Sequence, residues 1–171
     1  MNTRDVIIAC DPGIDGAFAV MVDGNLAEIE DMPVMTRLVA GNERRYVAPD
    51  ILDGLLRSMV ASYVGPVDSL LFVIEEVGFM PKKSGSGMFA FGRGVGHVEG
   101  IVIGMRIPRM NVEPAKWKRD LKLKRGKDAS RQRAMELYPS HRELFARAKD
   151  DGRAEAVLIA RWAHEHMRNT Q

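Results

Sequence analysis

Cysteine is almost missing from this chain. Its one thiol, Cys10, lies inside the apolar run Val6-Ile7-Ile8-Ala9-Cys10, so no disulfide framework can form within the chain. That points to a reducing compartment and marks Cys10 as a small core residue rather than a nucleophile. Long hydrophobic runs are missing too. No stretch is long and uncharged enough to cross a bilayer, and no apolar signal core precedes Asp5; a cytoplasmic protein with no membrane partner is expected. Histidine is scarce: His97 and His141 lack metal-like spacing and His164 and His166 sit near a polar tail, so none is assigned as a ligand. No Ser-His-Asp or Cys-His pattern stands out. Repeats, low-complexity tracts and linkers are absent as well. A length of 171 residues, 46% hydrophobic and 28% charged, suits one soluble globular domain over 1–171.

Net charge is also small, +2, but it is unevenly spread. Acids crowd Glu28 to Asp31, and bases crowd Lys116 to Arg133, including Lys118, Lys122, Lys124, Arg125, Lys127 and Arg131. Such a run is often a solvated helix face. Here Asp120 and Asp128 are too few to neutralise it by i,i+4 pairing, so phosphate contact is the better reading. Arg93, Lys82 and Lys83 extend that surface, and Phe79 offers a ring for an unpaired base.

The apolar segments give an order of elements. Val6–Cys10, Gly16–Val22 and Leu26–Glu30, separated by Asp11-Pro12-Gly13 and Asp23-Gly24-Asn25, read as an antiparallel meander. Residues 32–47 show little periodicity and read as a loop, punctuated by Pro33 and Gly41-Asn42. Pro49 opens a helix with Ile51, Leu52, Leu55, Leu56, Met59 and Val60 on one face. Ser69–Ile74 is a central strand and Ile107–Val112 a short final one. Pro114 starts a helix through Trp117, another opens near Asp128, Ser140 caps a short one, and Gly152–Met167 closes the series. The result is a mixed α/β domain.

The helix after Met88 carries Gly92, Gly96, Gly100 and Gly104, one every fourth residue. Each costs roughly 1 kcal/mol against alanine. A bare stripe allows close approach, either within the domain or across a dimer two-fold, and the dimer is preferred. Gly92, Gly94 and Gly96 lack the preceding strand and full spacing of a dinucleotide motif.

Acids stand where apolar segments end. Asp11 follows the first strand, Glu75-Glu76 follow the central strand, and Asp151 and Glu155 lie one turn apart at the head of the last helix. Singly, these are a turn aspartate, a strand end and a helix cap. Together they describe a divalent-cation site. Two hard ions about 3.5–4 Å apart can activate a water and stabilise the leaving oxygen of a phosphodiester. Oxygen-only ligands favour Mg²⁺ or Mn²⁺ over Zn²⁺.

These residues resemble the RuvC-type Holliday junction resolvases of the ribonuclease H-like superfamily, including compact bacteriophage forms. The resemblance runs through Asp11-Pro12-Gly13, Ile74-Glu75-Glu76-Val77, Phe79-Met80-Pro81-Lys82, Phe91-Gly92-Arg93-Gly94-Val95, Pro114–Lys118 and Asp151-Gly152-Arg153-Ala154-Glu155-Ala156, over nearly the whole length. It implies an α/β ribonuclease H-like fold: a five-stranded mixed sheet, three strands antiparallel and then parallel ones, flanked by helices. It implies that Asp11, Glu75, Asp151 and Glu155 hold two Mg²⁺ ions. A homodimer would nick opposed strands of a four-way junction, leaving ligatable 5′-phosphates, with the glycine-rich helix serving the dimer and the Phe79 loop entering the junction. Lys118 and Lys127 match basic positions near the family's active site. Two departures stand out. The last helix spaces its acids at i and i+4, with Glu second, where bacterial members typically carry two Asp at i and i+3, so Asp150 and Asp151 both remain candidates. Gly78 is an insertion in the junction-reading loop, so strict sequence preference is not carried over, and forks and flaps join the candidate substrates. A junction-binding protein that does not cut is the alternative on the same fold.

Overall fold

β1 (Asp5–Asp11) is the strand around which the rest is arranged, in a computed structural model that describes residues 3–76, 78, 84–126 and 128–168. It pairs antiparallel with β2 (Ala17–Val22), which pairs antiparallel with β3 (Asn25–Asp31). Asp23 and Gly24 both take positive φ at the β2–β3 turn, the conformation that matches the right-handed twist of a tight hairpin.

On its other edge β1 runs parallel to β6 (Ser69–Glu75), and β6 runs parallel to β7 (Arg109–Val112). The order β3-β2-β1-β6-β7 is the expected five-stranded mixed sheet. Parallel pairing requires crossovers. α1 (Pro49–Tyr63) lies between β3 and β6, and α2 (Gly85–Gly104) lies between β6 and β7.

Side-chain alternation divides β1 between two cores. Val6, Ile8 and Cys10 face Leu52, Leu56 and Met59 of α1 and Val98 and Val102 of α2. Ile7 and Ala9 face the other layer, where α5 (Asp151–Arg168) lies across the sheet on Ala156, Val157, Ile159, Ala160 and Ala163. α3 (Pro114–Asp120) and α4 (Ala129–Leu137) flank it, contributing Trp117 and Ala134. Cys10 is fully buried, which pushes its thiol pKa well up and suits an inert core residue. No helix among the described residues is long and apolar enough to cross a membrane.

The largest correction concerns residues 32–47. They are no loop: β4 (Val34–Val39) and β5 (Asn42–Val47) form a separate antiparallel ribbon. Most of the ribbon is exposed on both faces, so its apolar residues have no reason to alternate, and the period-2 signal is absent. Ala40 and Gly41, both at positive φ, make its two-residue turn.

Smaller corrections follow from burial. Ile51, expected in the α1 stripe, is 55% exposed. The segment after Pro139 is a 3₁₀ turn (Pro139–Phe145) that Ser140 does not cap; its hydroxyl lies 3.0 Å from His141 Nδ1. In α2, a Cβ added at Gly92, Gly96, Gly100 or Gly104 would meet nothing within 4 Å among the described residues, so the stripe is not used for packing against them. Gly94 is the glycine that serves the fold, because a Cβ there would come 3.0 Å from Val47 Cγ2 on β5.

Candidate active site

Three of the expected acids meet at one end of the sheet. Asp11 is the last residue of β1 and Glu75 the last of β6, its parallel neighbour, so their strand ends deliver both carboxylates to the same edge. Glu155, one turn into α5, reaches the same point from the layer above. One carboxylate oxygen from each of Asp11, Glu75 and Glu155 lies within 4.8 Å of the other two.

Asp151, at the first position of α5, lies outside that tight trio and lines the cleft beside Glu155. Its Oδ1 is buried without a hydrogen-bond partner. Asp150 has a different use. It is 1% exposed and accepts hydrogen bonds from the Arg147 guanidinium and the Arg147 backbone N–H. Those bonds outweigh burial and hold its carboxyl below the ordinary range. Asp151 therefore has the open geometry, and Asp150 is occupied.

Close backbone packing brings α5 to the sheet. A Cβ on Gly152 would stand 2.2 Å from the Asp15 carbonyl oxygen, and one on Gly16 would stand 2.1 Å from the Asp11 carbonyl oxygen. Both positions must be glycine for the β1–β2 turn and the head of α5 to touch. Asp11 Oδ1 also accepts the Gly13 N–H at 3.0 Å, which sets the carboxylate's direction.

Two further residues were not legible as site residues. Trp117 Nε1 donates to Glu75 Oε1 at 3.0 Å, and Ser130 Oγ donates to Glu155 Oε1 at 3.0 Å. The one available signal was that a buried indole needs an acceptor; the sequence does not say which acid supplies it. Lys118 Nζ also reaches Glu155 Oε1, at 2.7 Å.

The electrostatics are those of crowded acid. Burial, reinforced by Glu155 and Glu75, pushes the Asp11 carboxyl up to about 7 against the Gly13 N–H and Lys118. Burial and Glu155 likewise raise Glu75, opposed by the Trp117 N–H and Lys118. Asp151 is raised by burial and by Glu155. Burial disfavours the Lys118 ammonium, yet Glu155, Glu75 and Asp151 together hold its pKa above the ordinary value. Lys118, with Arg131 also acting on Asp151, is outnumbered by the four carboxylates. Asp151 Oδ1 lacks a donor, and the donor set is all oxygen, so the site fits a hard divalent cation.

A cleft of about 550 Å³ opens beside the acids, lined by Lys118, Lys124, Arg125 and Gly126 together with Asp151, Glu155 and Ser130. Lys122 is exposed nearby, at positive φ. Lys116 lies 5.4 Å from the Trp162 ring centre, and Arg93 is half-buried on α2. Arg131, expected at a DNA surface, is used inside the domain: its side chain is 11% exposed, pairs with Asp128 and donates to the Phe145 and Ala146 carbonyls. Phe79, Lys82, Lys83 and Lys127 lie outside the described residues.

No protein-family model matches the chain. A stretch of 66 residues is 39% identical to the chloroplastic Holliday junction resolvase MOC1 of Chlamydomonas reinhardtii, covering 37% of this chain and 8% of that protein. The chain thus spans a small part of that relative. Across nearly its whole length it superposes on Thermus thermophilus RuvC. The match to RuvC in complex with a Holliday junction substrate has a TM-score of 0.53 at 14% identity, covering 99% of this chain and 98% of that one. A second T. thermophilus RuvC structure gives 0.53 at 15% identity, with 96% and 97% covered. The ribonuclease H-like fold of this chain is the RuvC fold, and RuvC-type resolvases are the proteins it resembles.

Proposed function

We propose that this chain is a divalent-metal-dependent endonuclease that resolves four-way DNA junctions by paired phosphodiester hydrolysis, leaving 5′-phosphate nicks. The observation that carries the reading is the convergence of Asp11, Glu75 and Glu155 within 4.8 Å, with the unsatisfied Asp151 oxygen beside them in a basic cleft. A sugar-phosphate backbone is the polymer whose charge such a wall attracts.

Asp11, Glu75, Asp151 and Glu155 would hold two Mg²⁺ ions, for which Mn²⁺ substitutes. Bound there, the ions supply Lewis-acid polarisation of the scissile phosphate and ready deprotonation of water. The chain's own residues set the stage. The Gly13 N–H, the Trp117 indole and the Ser130 hydroxyl each fix one carboxylate, so the ligand oxygens are aimed before substrate arrives. Lys118 offsets part of the negative charge and stands within reach of an incoming phosphate. Lys124 and Arg125 fix the strand on the cleft wall.

Two opposed cuts need two sites. The outward stripe of Gly92, Gly96, Gly100 and Gly104 supports a homodimer through α2, since four glycines in one helix are otherwise an uncompensated cost. Lys116, Lys122 and Arg93 would contribute to DNA contact, as would Lys82, Lys83 and Lys127, with Phe79 offering a ring to an unpaired base. Arg131 is left out because its guanidinium is already engaged.

The test is cleavage of a labelled immobile junction in Mg²⁺ beside linear duplex of the same sequence, with Asp11→Asn and Glu155→Gln in parallel. Symmetric nicks in the junction alone, lost in both variants while binding persists, are expected. Tight binding without nicks in Mg²⁺ or Mn²⁺ would sink the catalytic claim and leave a junction-binding protein.

A further inference from the structure

The β4–β5 ribbon has no part in the site just described. Its register places Arg37 directly opposite Arg44, on the face that also carries Met35, Val39 and Tyr46. Like charges opposed across an antiparallel pair are destabilising. Here the pair has no acidic partner among the described residues; Arg37 lies over the Tyr46 ring at 5.2 Å. Met35 and Val39 beside it are 46% and 43% exposed.

The opposite face does the anchoring. Val47 packs on Gly94 of α2, and Arg45 bonds Asp15 Oδ1 at 2.6 Å and the Ile14 carbonyl at 3.3 Å. Asp15 belongs to the turn whose carbonyl touches Gly152 at the head of α5. The ribbon is therefore fixed to the same turn that positions Asp11 and Asp151, while Arg37 and Arg44 are exposed on the face opposite Arg45 and Val47.

We propose that the outward face of the β4–β5 ribbon is a second DNA-binding surface, on which Arg37 and Arg44 hold the backbone phosphates of a duplex arm leaving the cleft. The proposal depends on the junction-nuclease reading above. A two-stranded ribbon has the width that a duplex groove accepts. Two fixed cations matched to two phosphates turn an intramolecular repulsion into an intermolecular attraction, and the exposed methyl-bearing side chains suit the sugar edge between them. Arg37, stacked on Tyr46, meets DNA with part of its side-chain freedom already removed.

The experiment compares wild type with the double variant Arg37→Ala/Arg44→Ala, by anisotropy of a labelled four-way junction in EDTA at several salt concentrations. Loss of two phosphate contacts per protomer, four in the proposed homodimer, should weaken binding at least tenfold at moderate salt and reduce the slope of log K against log salt by about 4. Cleavage at saturating protein should be unchanged, and the unfolding midpoint should hold or rise, because the repelling pair is gone. Lysines at both positions should restore most of the slope. A wild type that binds and cuts junctions beside a double variant of identical affinity and slope overturns the proposal alone. A wild type that neither prefers junctions nor cuts them overturns the nuclease reading, and the proposal with it. If the DNA-free double variant instead loses self-association in sedimentation, the face belongs to a second copy of the chain and the proposal is wrong.

Discussion

Replacing Asp11 by asparagine should make the metal-free protein more stable at alkaline pH. The Asp11 carboxyl titrates near 7 in the fold and near 3.8 in a free chain, chiefly because it is buried among Glu155 and Glu75. A group raised on folding carries its proton into the native state across the window between those values. Native protein then holds more protons than unfolded, so stability falls as pH rises from about 4 to about 7 and stays low beyond. A difference of about 3 units at 1.36 kcal/mol each sets a ceiling of about 4 kcal/mol, reduced to the extent that the coupled acids share protons. Asparagine keeps the Oδ1 acceptor that the Gly13 N–H needs and removes the charge. Urea unfolding of both proteins in EDTA at integral pH values from 4 to 9 measures the difference. The asparagine variant should gain from pH 5 upward, lead by a few kcal/mol at pH 8, and converge with wild type near pH 4. Millimolar Mg²⁺ should shrink or reverse that lead, because a cation bound to the native state stabilises only the protein that can hold it. Parallel curves in EDTA across the whole range would refute the account of a strained acid cluster.

Trp117→Phe keeps the buried ring and removes the N–H on Glu75, so the Mg²⁺ concentration for half-maximal cleavage should rise severalfold with little change in unfolding midpoint. Lys118→Met should slow junction cleavage by at least tenfold while Glu75 and Asp151 titrate at still higher pH, read from the pH–rate profile. Gly152→Ala places a Cβ against the Asp15 carbonyl, and the resulting shift should cost about 1–3 kcal/mol in urea and reduce metal affinity as well.

Much of the acid cluster was legible because it sits where periodicity changes. Asp11 and Glu75 each end an apolar run, and Asp151 and Glu155 share a helix face, so strand ends and turn spacing located them. The choice between Asp150 and Asp151 was not legible, since it depends on which carboxylate Arg147 reaches. Trp117 and Ser130 escaped for the same reason: their partners are 42 and 25 positions away. The β4–β5 ribbon was invisible because periodicity reports burial, and this ribbon is mostly unburied. Arg131 shows the converse: its charge was legible, but not that main-chain carbonyls hold its guanidinium.

The distribution of the acids along the chain has a consequence for synthesis. Asp11 is synthesised before Glu75, and Asp151 and Glu155 follow with the helix that closes over the sheet. That helix buries the apolar face of β1 and β2, so no nascent fragment lacking it has either all four acids or a finished core. A polypeptide cut short before α5 by a broken message would thus lack two of the four acids and be exposed to proteolysis. The topology confines the four-acid arrangement to chains translated through α5.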